Sequence, residues 1–289
     1  MNSPTDPQVL ARHEVVSRDR WIAERKRLLA REKELTRLGD QVARERGALP
    51  WVRIDKDYVF DTAAGPRRLG ELFGPHRRLV LQHLMFAPGW EAACKSCSFM
   101  ADHTDPALPH LAARGVAFVA VSRAPLADLA RFKARMGWRF DWVSSFGNDF
   151  NRDFHVSFTD EERARGDVFY NFTMQPFPQE EAPGISVFAK DDDGTVHLTY
   201  STFGRGVELM MHTYRFMDLL PEGRDEDALP YTMAWVKHHD RYDQAEAPTP
   251  TPASVASGAS SASGASGASS ASSAVGVPSA SSGCCASHD

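Results

Sequence analysis

Cysteine is scarce in this sequence, with four among 289 residues, too few for a disulfide scaffold. No apolar run approaches the roughly 18 residues that a membrane-spanning helix needs, so no membrane partner is expected. The segment Met1–Pro7 has neither the basic patch nor the apolar core of a secretory signal. A formal charge of -5 offers no electrostatic basis for binding nucleic acid. Gly-x-Ser-x-Gly, Gly-x-Gly-x-x-Gly and phosphate-loop patterns are all missing. Serine hydrolysis and the binding of nicotinamide, flavin or nucleotide therefore have no support. The thrift with cysteine fits a reducing compartment, and the expected location is the cytoplasm.

What is present begins with an arm. From about His13 to Arg46 the chain is dense in Arg, Lys, Glu, Leu and Ala, with Trp21, Leu28, Leu35 and Val42 recurring every seven residues. That spacing predicts an amphipathic helix or helix pair. The arm packs either on its own domain or, as a homo-oligomer contact, on a second copy of the chain. Residues 1–50 are read as this arm, 51–246 as the main domain with an insertion around 138–182, and 247–289 as a tail. The tail is Ser, Ala, Gly and Pro, ends near Cys284 and Cys285, and is expected to be disordered because it cannot bury enough apolar surface.

Within the domain, Trp51–Ile54 and Tyr58–Phe60 read as a hairpin turning on Asp55-Lys56-Asp57. The apolar runs Leu79–Phe86 and Val116–Val121 read as buried strands. Asp105 with Pro106 starts one helix, and Pro125 starts another that Gly137 stops. Strand alternating with helix indicates parallel crossover units, hence an α/β fold. Gly184–Ala189 and Thr195–Tyr200 flank Asp193-Gly194 as a second hairpin, and Val207 to about Leu220 reads as a helix with Leu209, Met210, Tyr214, Met217 and Leu220 available to the core. Phe146, Phe150, Phe154 and Phe158 recur every four residues. They either pack on the sheet or wall a groove beside the chemical centre. Asn148, Asp149, Asn151 and Asp153 lack the order of a calcium loop, so no metal is assigned there.

The chemical centre is Cys94-Lys95-Ser96-Cys97, placed where the first strand gives way to a helix. Two cysteines so spaced can close a small disulfide, and a helix N-terminus stabilises a thiolate. Cys94 is then the nucleophile, with its pKa lowered into the range of roughly 3.5–7.5 and Lys95 adding positive charge. Cys97, one turn deeper, resolves the mixed disulfide. Trp90 shields the pair and offers an apolar platform to a partner. A zinc site needs four ligands, no second Cys-x-x-Cys occurs in the ordered chain, and only His83 or His103 is at hand. No metal and no cofactor beyond the redox-active disulfide are expected. A pair of buried, inert cysteines stays open as the alternative. A peroxidase of the peroxiredoxin type places its cysteine seven residues after a proline, with a hydroxyl residue between. Here Pro88 precedes Cys94 by six, and Ala92 stands at the hydroxyl place, although Arg123 suits the accompanying arginine.

The run Phe86–Ser98 resembles the signature of the DUF899 family of thioredoxin-like proteins. So do Val121–Leu126, Trp142–Gly147, Asp153–Phe158, Pro183–Phe188 and Met233–Tyr242. The resemblance covers about Val15 to Tyr242. It implies a thioredoxin-like fold and a dithiol–disulfide oxidoreductase role, with a thiol or disulfide substrate, protein or small molecule, and an electron donor it does not specify. Such folds set a cis-proline opposite the cysteines, and Pro183 is the residue placed to serve, as a cis or an ordinary trans proline. The competing classes are a peroxiredoxin-like thiol peroxidase and a non-enzymatic binding module on the same fold.

Overall fold

The computed structural model describes residues 13–243. The tail from 247, with Cys284 and Cys285, lies outside them. Ser17 accepts a hydrogen bond from the Arg20 amide and starts α1 (Arg18–Gly47), a single unbroken helix. Arg27–Glu24, Arg31–Glu34 and Arg25–Glu32 pairs line its polar surface. None of its residues is buried, and Leu35 is 70% exposed. The seven-residue stripe is helical, as its spacing predicts, with Trp21, Leu28 and Leu35 exposed and Val42 half-buried. Near its end, Arg46 lies 5.6 Å from the centroid of the Tyr200 ring.

The remaining strands in chain order are β1 (Val52–Arg53), β2 (Val59–Phe60), β3 (Arg67–Arg68), β4 (Arg78–His83), β5 (Val116–Ser122), β6 (Asp141–Ser144), β7 (Val168–Tyr170), β8 (Thr173–Gln175), β9 (Gly184–Lys190) and β10 (Val196–Phe203). The helices after the arm are α2 (Lys95–Thr104), α3 (Leu108–Ala113), α4 (Leu126–Met136), α5 (Phe150–Asp153), α6 (Asp160–Ala164) and α7 (His212–Met217). Six strands form one mixed sheet in the order β1-β10-β9-β4-β5-β6. β4, β5 and β6 run parallel, and β9, β10 and β1 continue the sheet antiparallel. Two-stranded ladders β2–β3 and β7–β8 lie beside it. Among the described residues no helix is long and apolar enough to cross a membrane.

Several local expectations need correction. β1 and β2 do not form a hairpin. Val52 pairs with Leu198 on the sheet edge, the Ile54 amide continues to the Val196 carbonyl at 2.9 Å, and Val59 pairs instead with Arg68. A long sheet edge offers a row of unpaired backbone groups that a two-residue strand can join. Asp105 opens a short 3-10 turn and spends its carboxylate on the Arg139 backbone amide (2.7 Å) and Nε (2.9 Å), not on a helix cap. The stretch read as an insertion from residue 138 begins by supplying β6, the outer strand of the main sheet. The helix read over Val207–Leu220 is a 3-10 segment, Gly204–Met210, followed after Met211 by the short α7, so Leu209 and Leu220 stay exposed.

The sheet separates two cores. Leu79, Leu81, Val119 and Val121 face one side, where they meet Tyr58, Phe60, Phe150 and Phe154. Leu84, Phe118 and Ala120 face the other, where α2 and α4 bring Cys94, Cys97, Leu129 and Phe132. Alternation along each strand produces this division. Phe150, Phe154 and Phe158 are therefore packing residues on the side away from the cysteines, and Phe146 is exposed. The groove reading of that stripe is set aside. Asp149 and Asp153 hold Lys56 by ion pairs at 3.0 and 2.6 Å, and no cluster fit for a metal occurs among the described residues.

Gly184 starts β9 opposite His83, the last residue of the central strand. A Cβ there meets Phe203 Cδ1 at 2.6 Å and His83 Cδ2 at 3.4 Å, in a fully packed core. Gly184→Ala is expected to destabilise the fold by roughly 1–3 kcal/mol through overpacking. Urea unfolding measures this, and an unchanged midpoint would contradict the packing argument.

Candidate functional site

The central strand β4 runs into an irregular continuation. Leu84 donates its amide to the Val121 carbonyl and Ala124 donates to the Phe86 carbonyl, so the chain stays clamped to β5 as far as Phe86. Gly89 then turns with φ of 85°, a conformation natural to glycine. The loop returns when the Cys94 amide donates to the Met85 carbonyl at 3.0 Å. Cys94 is the N-cap of α2, Lys95 its first residue and Cys97 its third. Both cysteines are thiols in this structure, and they are 4% and 2% exposed. Ser98 donates its amide to the Cys94 carbonyl, and the Gln82 side-chain amide donates to the Cys97 carbonyl at 3.0 Å. The strand-to-helix junction expected from sequence is thus present. The dithiol sits where first-turn N–H groups converge and favour negative charge.

Lys95 is half-buried beside Cys94. Trp90 packs against the cysteine-side core and donates Nε1–H to Glu180 Oε1 at 3.0 Å. Glu180 also accepts from Arg123 Nη2 at 2.9 Å, and Arg123 Nε donates to Glu181. Ser157 Oγ completes the chain at Glu181 Oε2, 2.7 Å away. Glu181 is 1% exposed. Burial pushes its carboxyl up to about 7, against the opposing pull of Arg123 and Ser157. Pro183 follows this pair and precedes β9. Its carbonyl accepts from the Tyr170 hydroxyl at 2.7 Å. Among the described residues every peptide bond is trans, so of the two forms left open for Pro183 it takes the ordinary trans one.

A second group reaches Ala93, the residue before the dithiol, from the last described segment. His238 is 9% exposed, with Nε2 2.9 Å from the carbonyl oxygen of Ala93, the residue before Cys94. Its ring meets Phe132 edge to face at 5.1 Å, and its Nδ1 lies 3.4 Å from Arg135 Nη2. Arg135 grips Asp240 through two hydrogen bonds of 2.8 Å, which hold the Asp240 carboxyl down at about 2. Burial lowers the His238 pKa, while the Ala93 carbonyl acts in the opposite direction. His239 Nδ1 lies 2.8 Å from Asp102 Oδ1, which also takes the Trp138 indole N–H at 2.7 Å. The segment is therefore strapped across α2 and α4. Arg123 and the Met233–Tyr242 run stand out in the sequence, whereas Glu180, Glu181 and His238 carry no pattern there that assigns them to the site. The only sequence signal was the density of His and charge in Lys237-His238-His239-Asp240-Arg241.

Over residues 10–242 the chain matches the family described as "Bacterial protein of unknown function (DUF899)", and it belongs to that family. No curated protein matches it. Among solved structures it is similar to peroxidoxin BcpB from Mycobacterium tuberculosis, at 17% identity over 56% of this chain and 93% of that one, with a TM-score of 0.35. A cysteine mutant of PrxQ from Xylella fastidiosa is similar at 13% identity over 55% and 87%, TM-score 0.37. A peroxiredoxin 6 mutant from Arenicola marina is similar at 13% identity over 54% and 65%, TM-score 0.37.

Proposed function

We propose that this protein is a thiol–disulfide oxidoreductase of thioredoxin-like architecture, with Cys94 as nucleophile and Cys97 as resolving thiol. The observation that supports this reading is the placement of Cys94 at the N-cap and Cys97 one turn on, at the carboxyl end of the sheet's central strand. Its core carries a parallel strand–helix–strand unit, β4-α2-β5, and an antiparallel pair, β9-β10, joined edge to edge at β4. The helix N-terminus and Lys95 favour the Cys94 thiolate. That thiolate attacks one sulfur of a substrate disulfide, forming a mixed disulfide and releasing the other sulfur as a thiolate that takes up a proton. The Cys97 thiolate then attacks Cys94 Sγ, closing the Cys94–Cys97 disulfide and releasing the second substrate thiol. Two electrons pass to the substrate, and an external dithiol or equivalent two-electron donor restores the pair. No further cofactor takes part.

Redox titration of the purified protein in glutathione or dithiothreitol buffers tests this. A two-electron Cys94–Cys97 couple is expected, near -270 mV for a reductant or near -120 mV for an oxidant. Failure to form the intramolecular disulfide across that span would remove the exchange role. Direct hydroperoxide consumption with a sulfenic acid on Cys94 would transfer the assignment to a thiol peroxidase.

A further inference from the structure

We propose that the arm α1 is a self-association surface, on which the α1 of a second copy of this chain lies antiparallel. The inference goes beyond the thiol-exchange reading and does not depend on it. α1 runs 30 residues without a break, about 45 Å at the helical rise. None of these residues is buried, although helices in proteins draw most of their stability from packing an apolar face. Trp21, Leu28, Leu35 and Leu38 are each more than half exposed. Exposed apolar surface on this scale marks an interaction site.

The order of residues along the helix selects the occupant. Residues three, four and seven apart share a helix face, which aligns Trp21, Arg25, Leu28, Leu29, Glu32 and Leu35. Their chemistry is palindromic about the Leu28-Leu29 step, reading apolar, cation, apolar pair, anion, apolar. A two-fold axis through that step sets each residue against the one equally far on its other side. Leu28 and Leu29 then meet their own counterparts, Trp21 meets the partner's Leu35, and Arg25 meets the partner's Glu32. A parallel pair in register would set Arg25 on Arg25 and Glu32 on Glu32, so charge complementarity favours the antiparallel arrangement. Within one chain Arg25 Nη2 donates to Glu32 at 2.8 Å. Arg25 Nη1 is buried with no hydrogen-bond partner among the described residues. The partner's Glu32 supplies that acceptor, and the two symmetric pairs close a four-charge cluster across the axis. The Arg27–Glu24 and Arg31–Glu34 pairs remain satisfied within each helix.

Sedimentation equilibrium of the full chain tests this, with loading concentrations from about 1 to 100 µM to bracket a micromolar dissociation constant. The parent is expected to reach twice the chain mass of 32.0 kDa. Arg25→Glu and Glu32→Arg, each alone, put like charges across the axis and should raise the dissociation constant about a hundredfold. Mixed one to one, the two variants should form a heterodimer near the parent's affinity. Each copy then faces opposite charges on its partner, although neither keeps its own Arg25–Glu32 pair. Because α1 buries no residue, the urea midpoint of each variant in its monomeric form should match that of the monomeric parent, which separates loss of pairing from loss of fold. A parent that stays at 32.0 kDa throughout would overturn the proposal and mean that the stripe is covered within one chain. A dimer indifferent to both charge reversals would place the contact elsewhere and overturn it equally, as would a mixture that remains monomeric. None of these outcomes bears on the Cys94–Cys97 couple, which the redox titration reads separately.

Discussion

Cys94→Ser is expected to reduce disulfide reductase activity to the uncatalysed background in an insulin-precipitation assay, while leaving the fold intact. A serine hydroxyl at the N-cap is well suited to the helix, so the loss would report chemistry and not unfolding. The hydroxyl does not ionise near neutral pH, whereas the thiolate is the attacking species in exchange. Cys97→Ser should fail differently. Its first attack is preserved, but the mixed disulfide on Cys94 has no resolving thiol and accumulates, visible by intact mass as a substrate adduct. Adducts on Cys97 in the Cys94→Ser protein would reverse the assigned roles. Full activity in both variants would remove the dithiol from the mechanism, whatever the fold around it.

Much of this arrangement was readable because local chemistry specifies it. Pro125 and Gly137 bracket α4, the latter in the left-handed conformation at φ of 66°. Asp193-Gly194 turns β9 into β10, and the apolar runs at Leu79 and Val116 form the adjacent parallel strands. The dithiol was legible for the same reason, since strand, glycine turn and helix start are contiguous. The rest depends on contacts distant in sequence. β1 joins β10 from the other end of the domain. His238 meets Ala93 across 145 residues, and Arg123 meets Glu181 across 58. No periodicity encodes such a meeting. The α7 region shows a different failure, because an apolar spacing suited to a long helix was interrupted at Met211, whose φ of -101° and ψ of 81° are not helical. Pro183 is trans, an outcome its position before β9 left open in the sequence.

The Arg123–Glu181 pair carries the largest expected effect on stability, and its sign depends on pH. Burial raises the folded-state Glu181 pKa from its ordinary 4.5 to about 7. Between those values the native protein binds more protons than the unfolded chain, so stability falls as pH rises through that window. Below about 4.5 both states hold the proton and the penalty is absent, and above about 7 it is complete, at about 3 kcal/mol. Glu181→Gln should flatten this part of the stability profile, as read by urea unfolding from pH 4.5 to 8. Arg123→Ala removes the cation that opposes the burial cost. It should raise the Glu181 pKa further and cost roughly 3–5 kcal/mol at pH 8, where a buried carboxylate loses its partner. At pH 4.5, with Glu181 largely protonated, the cost should be much smaller. The same substitution removes the Arg123 bond to Glu180, which also holds the Trp90 indole, so the fluorescence of Trp90 should change with it. Equal destabilisation at both pH values would mean that Glu181 is not the buried, proton-binding carboxyl at this corner.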